Sequence, residues 1–310
     1  VTFKVVLLHT ETSQNETFAM IGDSVQLDCE VDFGIENSMS WYFEKRNIYN
    51  YNKGCVEYPA EETKYYVKRK EQHFILHIQD ITLQDAGTYK CSTLSEVKLT
   101  NLTIFDMPSI FSISQILVEN MTAVFHCEVK SAGLNMNMAD HLPSLKMFFA
   151  DDPDQILPTE DDNTRENTLI KEYNVTINAT LHGRELGCQF RINKMNVTKF
   201  SALNVLYASR DITVTPLLKT YPIGSTIACA ADGNPSPSFQ WKHNNNPGRM
   251  RHGNVFTSTE DMLGKNQWTC TASNTIQGKL YEASRQVNFT VVVSQESIKS
   301  GMYYIIYRIN

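Results

Sequence analysis

Apolar side chains recur at every second position in short runs along this chain. Val25, Leu27 and Cys29 form one run, Met39, Trp41 and Phe43 a second, Phe74, Leu76 and Ile78 a third. Tyr89 and Cys91 close a fourth. A period of two sets each group on one face of a β-strand, so the runs predict half-buried strands. The pattern returns at Ala123, Phe125 and Cys127, and in SLKMFFADD, where Met147 or Phe149 fills the inward place. It reappears at Cys188 and around Cys229, Trp241, Trp268 and Cys270.

Order adds a second signal. Trp41 follows Cys29 by twelve residues, and Trp241 follows Cys229 by twelve. In QDAGTYKC, Gln84 to Cys91, a tyrosine stands two residues before a cysteine. This is the sequence form of a tyrosine corner, whose ring packs inward while its hydroxyl reaches back to the backbone. GNPSP resembles the turn before strand C of C2- and I-type immunoglobulin domains, and NQWTCTASNTIQG resembles their F strand. INATLHGRELGCQF resembles the E–F region of second domains in nectins and related adhesion proteins. By this ordered set the chain resembles the immunoglobulin superfamily, in particular three-domain receptors of the nectin-like kind.

The resemblance implies an all-β fold: three tandem immunoglobulin-like β-sandwiches, V/I-like and then two C-type. The expected domains are 1–106, 107–208 and 209–294, with 295–310 as a tail. It also implies three intradomain disulfides, Cys29–Cys91, Cys127–Cys188 and Cys229–Cys270, with Trp41, Tyr89, Trp241 and Trp268 in the cores. The middle segment departs from the pattern. It has no tryptophan after Cys127, and Leu186 takes the corner position. In the third segment Trp268 stands at the corner, and an indole has only an N–H to offer. Neither junction carries a Gly/Ser-rich linker, which predicts limited bending between domains.

The length of 310 residues suits two or three domains, and 42% hydrophobic with 20% charged residues is a globular balance. A net charge of −6 speaks against nucleic acid as a partner. No apolar run is long enough to span a bilayer, so a membrane anchor, if the protein has one, is expected outside this chain. VTFKVVLLHT reads as a first strand rather than a signal peptide. Sequons at Asn15, Asn101, Asn120, Asn174, Asn178, Asn196 and Asn288, beside regularly spaced cysteines, point to an extracellular, cell-surface or secreted glycoprotein. Asn174 and Asn178 are expected on one face of a strand. Cys55 is left over as a free thiol, quiet or joining two chains in a homodimer.

Catalytic strings are missing: no GxSxG, HExxH, Walker or GxGxxG motif occurs, so an enzyme is not expected, nor a cofactor. No metal site is expected either; the acidic run ADDPDQILPTEDDNTRE lacks the spacing of a calcium loop and reads as solvated. The basic run KYYVKRK, with Lys64, Lys68, Arg69 and Lys70, reads as an exposed strand with one base paired to Asp85. A polyanion patch is its second reading.

Alternation from Trp41, Tyr89 and Cys91 puts Tyr42, Glu44, Lys90 and Ser92 outside, with Arg46, Tyr49 and Tyr51 continuing onto the next strand. Tyrosine and arginine are enriched at binding hot spots, so these seven are the candidate partner-binding residues. The resemblance implies recognition of another cell-surface protein, or of a second copy, through this sheet of the first domain. Two alternatives are a secreted immune-recognition protein that binds microbial or non-self surfaces and a cytokine or growth-factor receptor ectodomain.

Overall fold

A computed structural model describes residues 12–31, 38–52, 55–58, 64–93, 96–112, 114–133, 142–161 and 167–293. Side chains are described for all of these except 12–14, 52, 55–58, 161 and 247. The expected first strand in VTFKVVLLHT and the tail 295–310 lie outside the described residues. Among those described there is no α-helix; the chain is built of strands with three 3-10 turns. Among the described residues no helix is long and apolar enough to cross a membrane.

Two compact units are present: Val1–Ser114, Ala123–Val175 and Arg184–Ala202 form one, and Gln115–Thr122, Thr176–Gly183 and Leu203–Asn310 the other. The first unit opens with β1 (Thr12–Met20), β2 (Val25–Glu30), β3 (Ser38–Phe43), β4 (Arg46–Asn52) and β5 (Cys55–Tyr58). It continues with β6 (Tyr65–Lys70), β7 (His73–Ile78), β8 (Gly87–Ser92) and β9 (Val97–Phe105). One sheet runs β9-β8-β3-β4-β5, with β1 parallel to β9, and the other β2-β7-β6. The alternating runs meet between them: Leu27, Met39, Trp41, Phe74, Leu76, Ile78 and Tyr89 are all at most 2% exposed. Cys29 and Cys91 are bridged across this core, Cα to Cα 6.2 Å. Trp41 stands opposite Cys91, and its indole N–H donates to the Phe74 carbonyl in the facing sheet at 3.3 Å.

The same unit contains β10 (Ser109–Ser112), and β12 (Thr122–Ala132) after the short β11 (Leu117–Val118). Then come β13 (Ser144–Phe149), β14 (Glu160–Asp161), β15 (Thr168–Thr176), β16 (Glu185–Ile192) and β17 (Met195–Ala202). β10, β12, β15 and β14 make one sheet and β13, β16 and β17 the other, with Cys127 bridged to Cys188. The missing tryptophan has a substitute. Met147 pairs with Cys188 as Trp41 pairs with Cys91, and it is fully buried. An unbranched thioether fills that irregular space.

A main-chain junction ties β9 to β12, pairing Phe105 with Ser131 and Ile104 with Ala132. Phe105 packs on Phe190 at 4.7 Å between ring centroids. Gly133 closes the junction: its carbonyl accepts from Thr103 Oγ1 at 3.0 Å, and its φ is +75°. A Cβ there would sit 2.8 Å from the Leu102 carbonyl oxygen. Gly183 has a similar φ of +77° with open space around it. Both Gly→Ala changes carry a backbone cost of roughly 1–3 kcal/mol, but only Gly133→Ala adds a clash. Thermal melts should show the larger loss for Gly133→Ala; equal losses would mean the junction contact contributes nothing.

In the second unit, β11 runs parallel to β18 (Val205–Thr215), which continues unbroken past Ala208. The strands β19 (Thr220–Pro222), β20 (Thr226–Asn234), β21 (Ser238–His243) and β22 (Asn246–His252) follow. β23 (Val255–Thr257), β24 (Gly264–Ile276) and β25 (Lys279–Val292) complete it. The sheets are β18-β20-β23, joined by β11, and β19-β25-β24-β21-β22. Cys229 is bridged to Cys270, and Trp241, opposite Cys270, is fully buried. Arg210 links β18 to the β11 turn through Glu119 at 2.9 Å.

Candidate functional site

The outer face of β9, β8, β3 and β4 is an open surface of half-buried polar side chains. Pairing fixes its rows. Leu99, Lys90, Tyr42 and Asn47 lie side by side across four strands, and Val97, Ser92, Ser40 and Asn50 make the next row. Lys90 Nζ sits 4.3 Å from the centre of the Tyr42 ring. A cation held over a ring at such a site is worth about 0.5–1 kcal/mol and fixes both side chains. Ser40 Oγ donates to Asn50 Oδ1 at 2.9 Å, and Thr88 Oγ1 donates to Asn101 Oδ1 at 2.9 Å. Most of these side chains are therefore held in place before any partner arrives.

Four of the seven residues expected on this face lie elsewhere. β4 carries one extra residue against β3: Trp41 pairs with Tyr49, but Tyr42 pairs with Asn47, leaving Ile48 as a bulge. A bulge reverses the alternation beyond it. Tyr49 and Tyr51 thus lie opposite the inward Trp41 and Met39. Tyr49 is 8% exposed, and burial, reinforced by Tyr51, raises its pKa against the opposing effect of Arg69. Tyr51 packs on Phe74 at 5.1 Å and accepts from Arg69 Nη1 at 3.1 Å. Arg46 pairs with Phe43, whose ring stacks on Tyr89, and its charge reaches the Tyr65 hydroxyl. Glu44 lies in the β3–β4 turn with φ +52°, where Oε1 accepts from the Thr88 N–H at 3.0 Å. Tyr42, Lys90 and Ser92 do share the outer face. Ser40, Asn47, Asn50 and Leu99 join them, and of these only Asn50 lies beyond the bulge.

Beneath the core, Tyr89 donates from its hydroxyl to the Asp85 carbonyl at 2.9 Å, completing a tyrosine corner. Its burial raises the phenol pKa strongly. In the third sandwich Trp268 occupies the matching place, fully buried, with no hydrogen-bond partner for its N–H among the described residues. The corner bond there comes from Asn266, whose amide donates to the Met262 carbonyl four residues back, as Tyr89 does to Asp85. No motif flagged Asn266.

Asn15, Asn120, Asn174, Asn196 and Asn288 are exposed, and Asn101 is half-buried on β9. Asn178 is exposed but does not share a strand with Asn174: β15 ends at Thr176, and the Asn178 side chain caps the following 3-10 turn by accepting from the Thr180 N–H at 3.0 Å. A single strand face shielded by both sugars is therefore not formed. The backbone of Cys55 lies in the edge strand β5, while its thiol falls outside the described side chains. Among the described residues no three His, Cys, Asp or Glu side chains gather closely enough to hold a metal ion. Asp151, in the acidic run, instead meets Arg184 at 2.7 Å, which lowers its pKa.

Residues 12–105 match the immunoglobulin V-set domain model. No curated protein matches the chain in sequence. Among solved structures, the full Ig1–Ig3 ectodomain of mouse nectin-like molecule 4 aligns with 90% of this chain and 100% of its own, at 14% identity and TM-score 0.57. Bovine butyrophilin aligns with 60% of this chain and 93% of its own, at 15% identity and TM-score 0.36. The first match carries the fold: three immunoglobulin-like sandwiches in series. Residues 12–105 are an immunoglobulin V-set domain by this match, and the chain as a whole has an all-β fold of tandem immunoglobulin-like sandwiches.

Proposed function

We propose that this chain is an extracellular recognition module that binds another cell-surface protein through the outer face of β9, β8, β3 and β4. The observation that carries the reading is the pair Tyr42 and Lys90, locked ring to ammonium at 4.3 Å in the middle of an open sheet face. Preorganised aromatic and cationic side chains lose little entropy on binding. Three buried disulfides suit an oxidising compartment. We keep the domain bounds 1–106, 107–208 and 209–294 with this reading, and sugars at the seven sequons. An Asn101 glycan would stand at one edge of the face, two residues along β9 from Leu99, and would limit how a partner approaches.

The test uses tetramers of the glycosylated chain on a panel of cells. Tyr42→Glu should weaken staining at least about fivefold, the effect of losing roughly 1 kcal/mol at an interface, with secretion and melting temperature unchanged. Staining untouched by Tyr42→Glu but abolished by a charged substitution on the third sandwich would place the binding surface elsewhere.

A further inference from the structure

The opposite sheet of the first sandwich, β2-β7-β6, carries its charges in columns. Asp28 and Glu30 point outward from β2, and Lys68 and Lys70 point outward from β6; all four are exposed. Between them run Ile75 and His73 of β7. Register places Asp28, Ile75 and Lys68 in one row, and Glu30, His73 and Lys70 in the next. The acidic and basic columns are thus two strand spacings apart, about 10 Å, at matched heights.

Such a face is complementary to itself under one symmetry only. A two-fold axis lying between two copies and parallel to β7 brings β2 of each over β6 of the other without changing heights. Asp28 then meets Lys68 and Glu30 meets Lys70, twice over, around a centre of two Ile75 side chains. A two-fold axis perpendicular to the strands would set acid on acid. From this arrangement we infer that the β2-β7-β6 face docks against the same face of a second copy. The two sheets pack in the aligned manner, about 10 Å apart, as an isologous interface.

Three further features favour this occupant. No sequon falls in β2, β6 or β7, whereas Asn101 lies on the other sheet. His73 Nδ1 lies 2.8 Å from Asp28 Oδ2, which holds that carboxylate in place, and its second oxygen can take a lysine. A sulfated polyanion fits less well: Lys64 is drawn to Asp85 at 2.7 Å and Arg69 to Tyr51, leaving two lysines beside two carboxylates. Because the axis keeps strand direction, both copies continue from β9 the same way, as two molecules side by side on one surface would. Their Tyr42 faces stay open on the outside of the pair.

Sedimentation equilibrium on the full glycosylated chain tests this, with a non-reducing gel to subtract any disulfide-linked fraction. The wild type should dimerise, and more weakly at 1 M salt, where screening shortens to about 3 Å. Asp28→Lys with Glu30→Lys, and Lys68→Glu with Lys70→Glu, should each weaken self-association at least tenfold. An equimolar mixture of the two variants should restore it, since every pair across the axis is then opposite in sign. Tyr42→Glu should dimerise as the wild type does, which separates this inference from the proposed function. It is overturned by a monomeric wild type, by variants that dimerise unchanged, by a mixture that stays monomeric, by loss of the dimer in Tyr42→Glu, or by a dimer that forms only with added heparin.

Discussion

Trp41→Ala should destabilise the first sandwich by about 3–5 kcal/mol, the cost of deleting a large aromatic from a core. The ring is 1% exposed, lies opposite Cys91, and bridges the two sheets through its bond to the Phe74 carbonyl. Its removal leaves a void beside the disulfide and takes away one bond between the two sheets. A domain of this size has only about 5–15 kcal/mol to lose, so secretion should fall with stability. Trp41→Phe keeps most of the volume but loses the N–H, and should cost less. Met147→Ala, at the matching place in the middle sandwich, removes a smaller side chain at a site worth about 2–5 kcal/mol. Urea melts of the three variants give the order. A Trp41→Ala protein that melts with the wild type would mean that the disulfide alone joins the sheets.

Much of this core was legible because alternation and motif reinforce each other. Wherever Cys, Trp and Tyr fall in one phase, as at Cys29, Trp41, Tyr89 and Cys91, the sequence reading and the buried set agree. The binding face was harder to read because a period of two carries no record of a bulge. Counting from Trp41 through the turn assigns Tyr49 and Tyr51 to the outside, and the one extra residue at Ile48 reverses them. Arg46 precedes the bulge and leaves the face because it pairs with Phe43 across the β3–β4 turn. The columns of the opposite face were invisible for another. Asp28 and Lys68 are distant in sequence, and only the register through Ile75 makes them one row. Asn266 escaped because an amide that closes a corner looks like any polar residue in a strand.

Asp85 should govern how the first sandwich responds to acid. It is 4% exposed, and its carboxylate accepts from the Thr82 N–H at 2.8 Å and from Tyr65 Oη at 3.1 Å while pairing with Lys64 at 2.7 Å. Burial alone would raise its pKa, but the Lys64 ammonium and the Thr82 donors outweigh that, and the net shift is downward. An unfolded aspartate titrates near 3.9, on the order of its free value. As pH falls, the unfolded chain therefore takes up this proton first, and protonation favours unfolding. The stabilisation is complete above the unfolded value and is lost as pH drops through the lower folded one. Asp85→Ala at neutral pH should cost about 3 kcal/mol, the low end for a broken buried pair, because Lys64 keeps 29% of its side chain in water. Asp85→Asn keeps the shape without the charge. Urea melts of wild type and Asp85→Asn from pH 7 to pH 3 isolate this group from the other carboxylates. The gap between them should be constant down to about pH 5 and narrow below about pH 4. A gap that stays the same at pH 3 would show that the Asp85 carboxylate is not what holds Lys64, Tyr65 and Thr82 together.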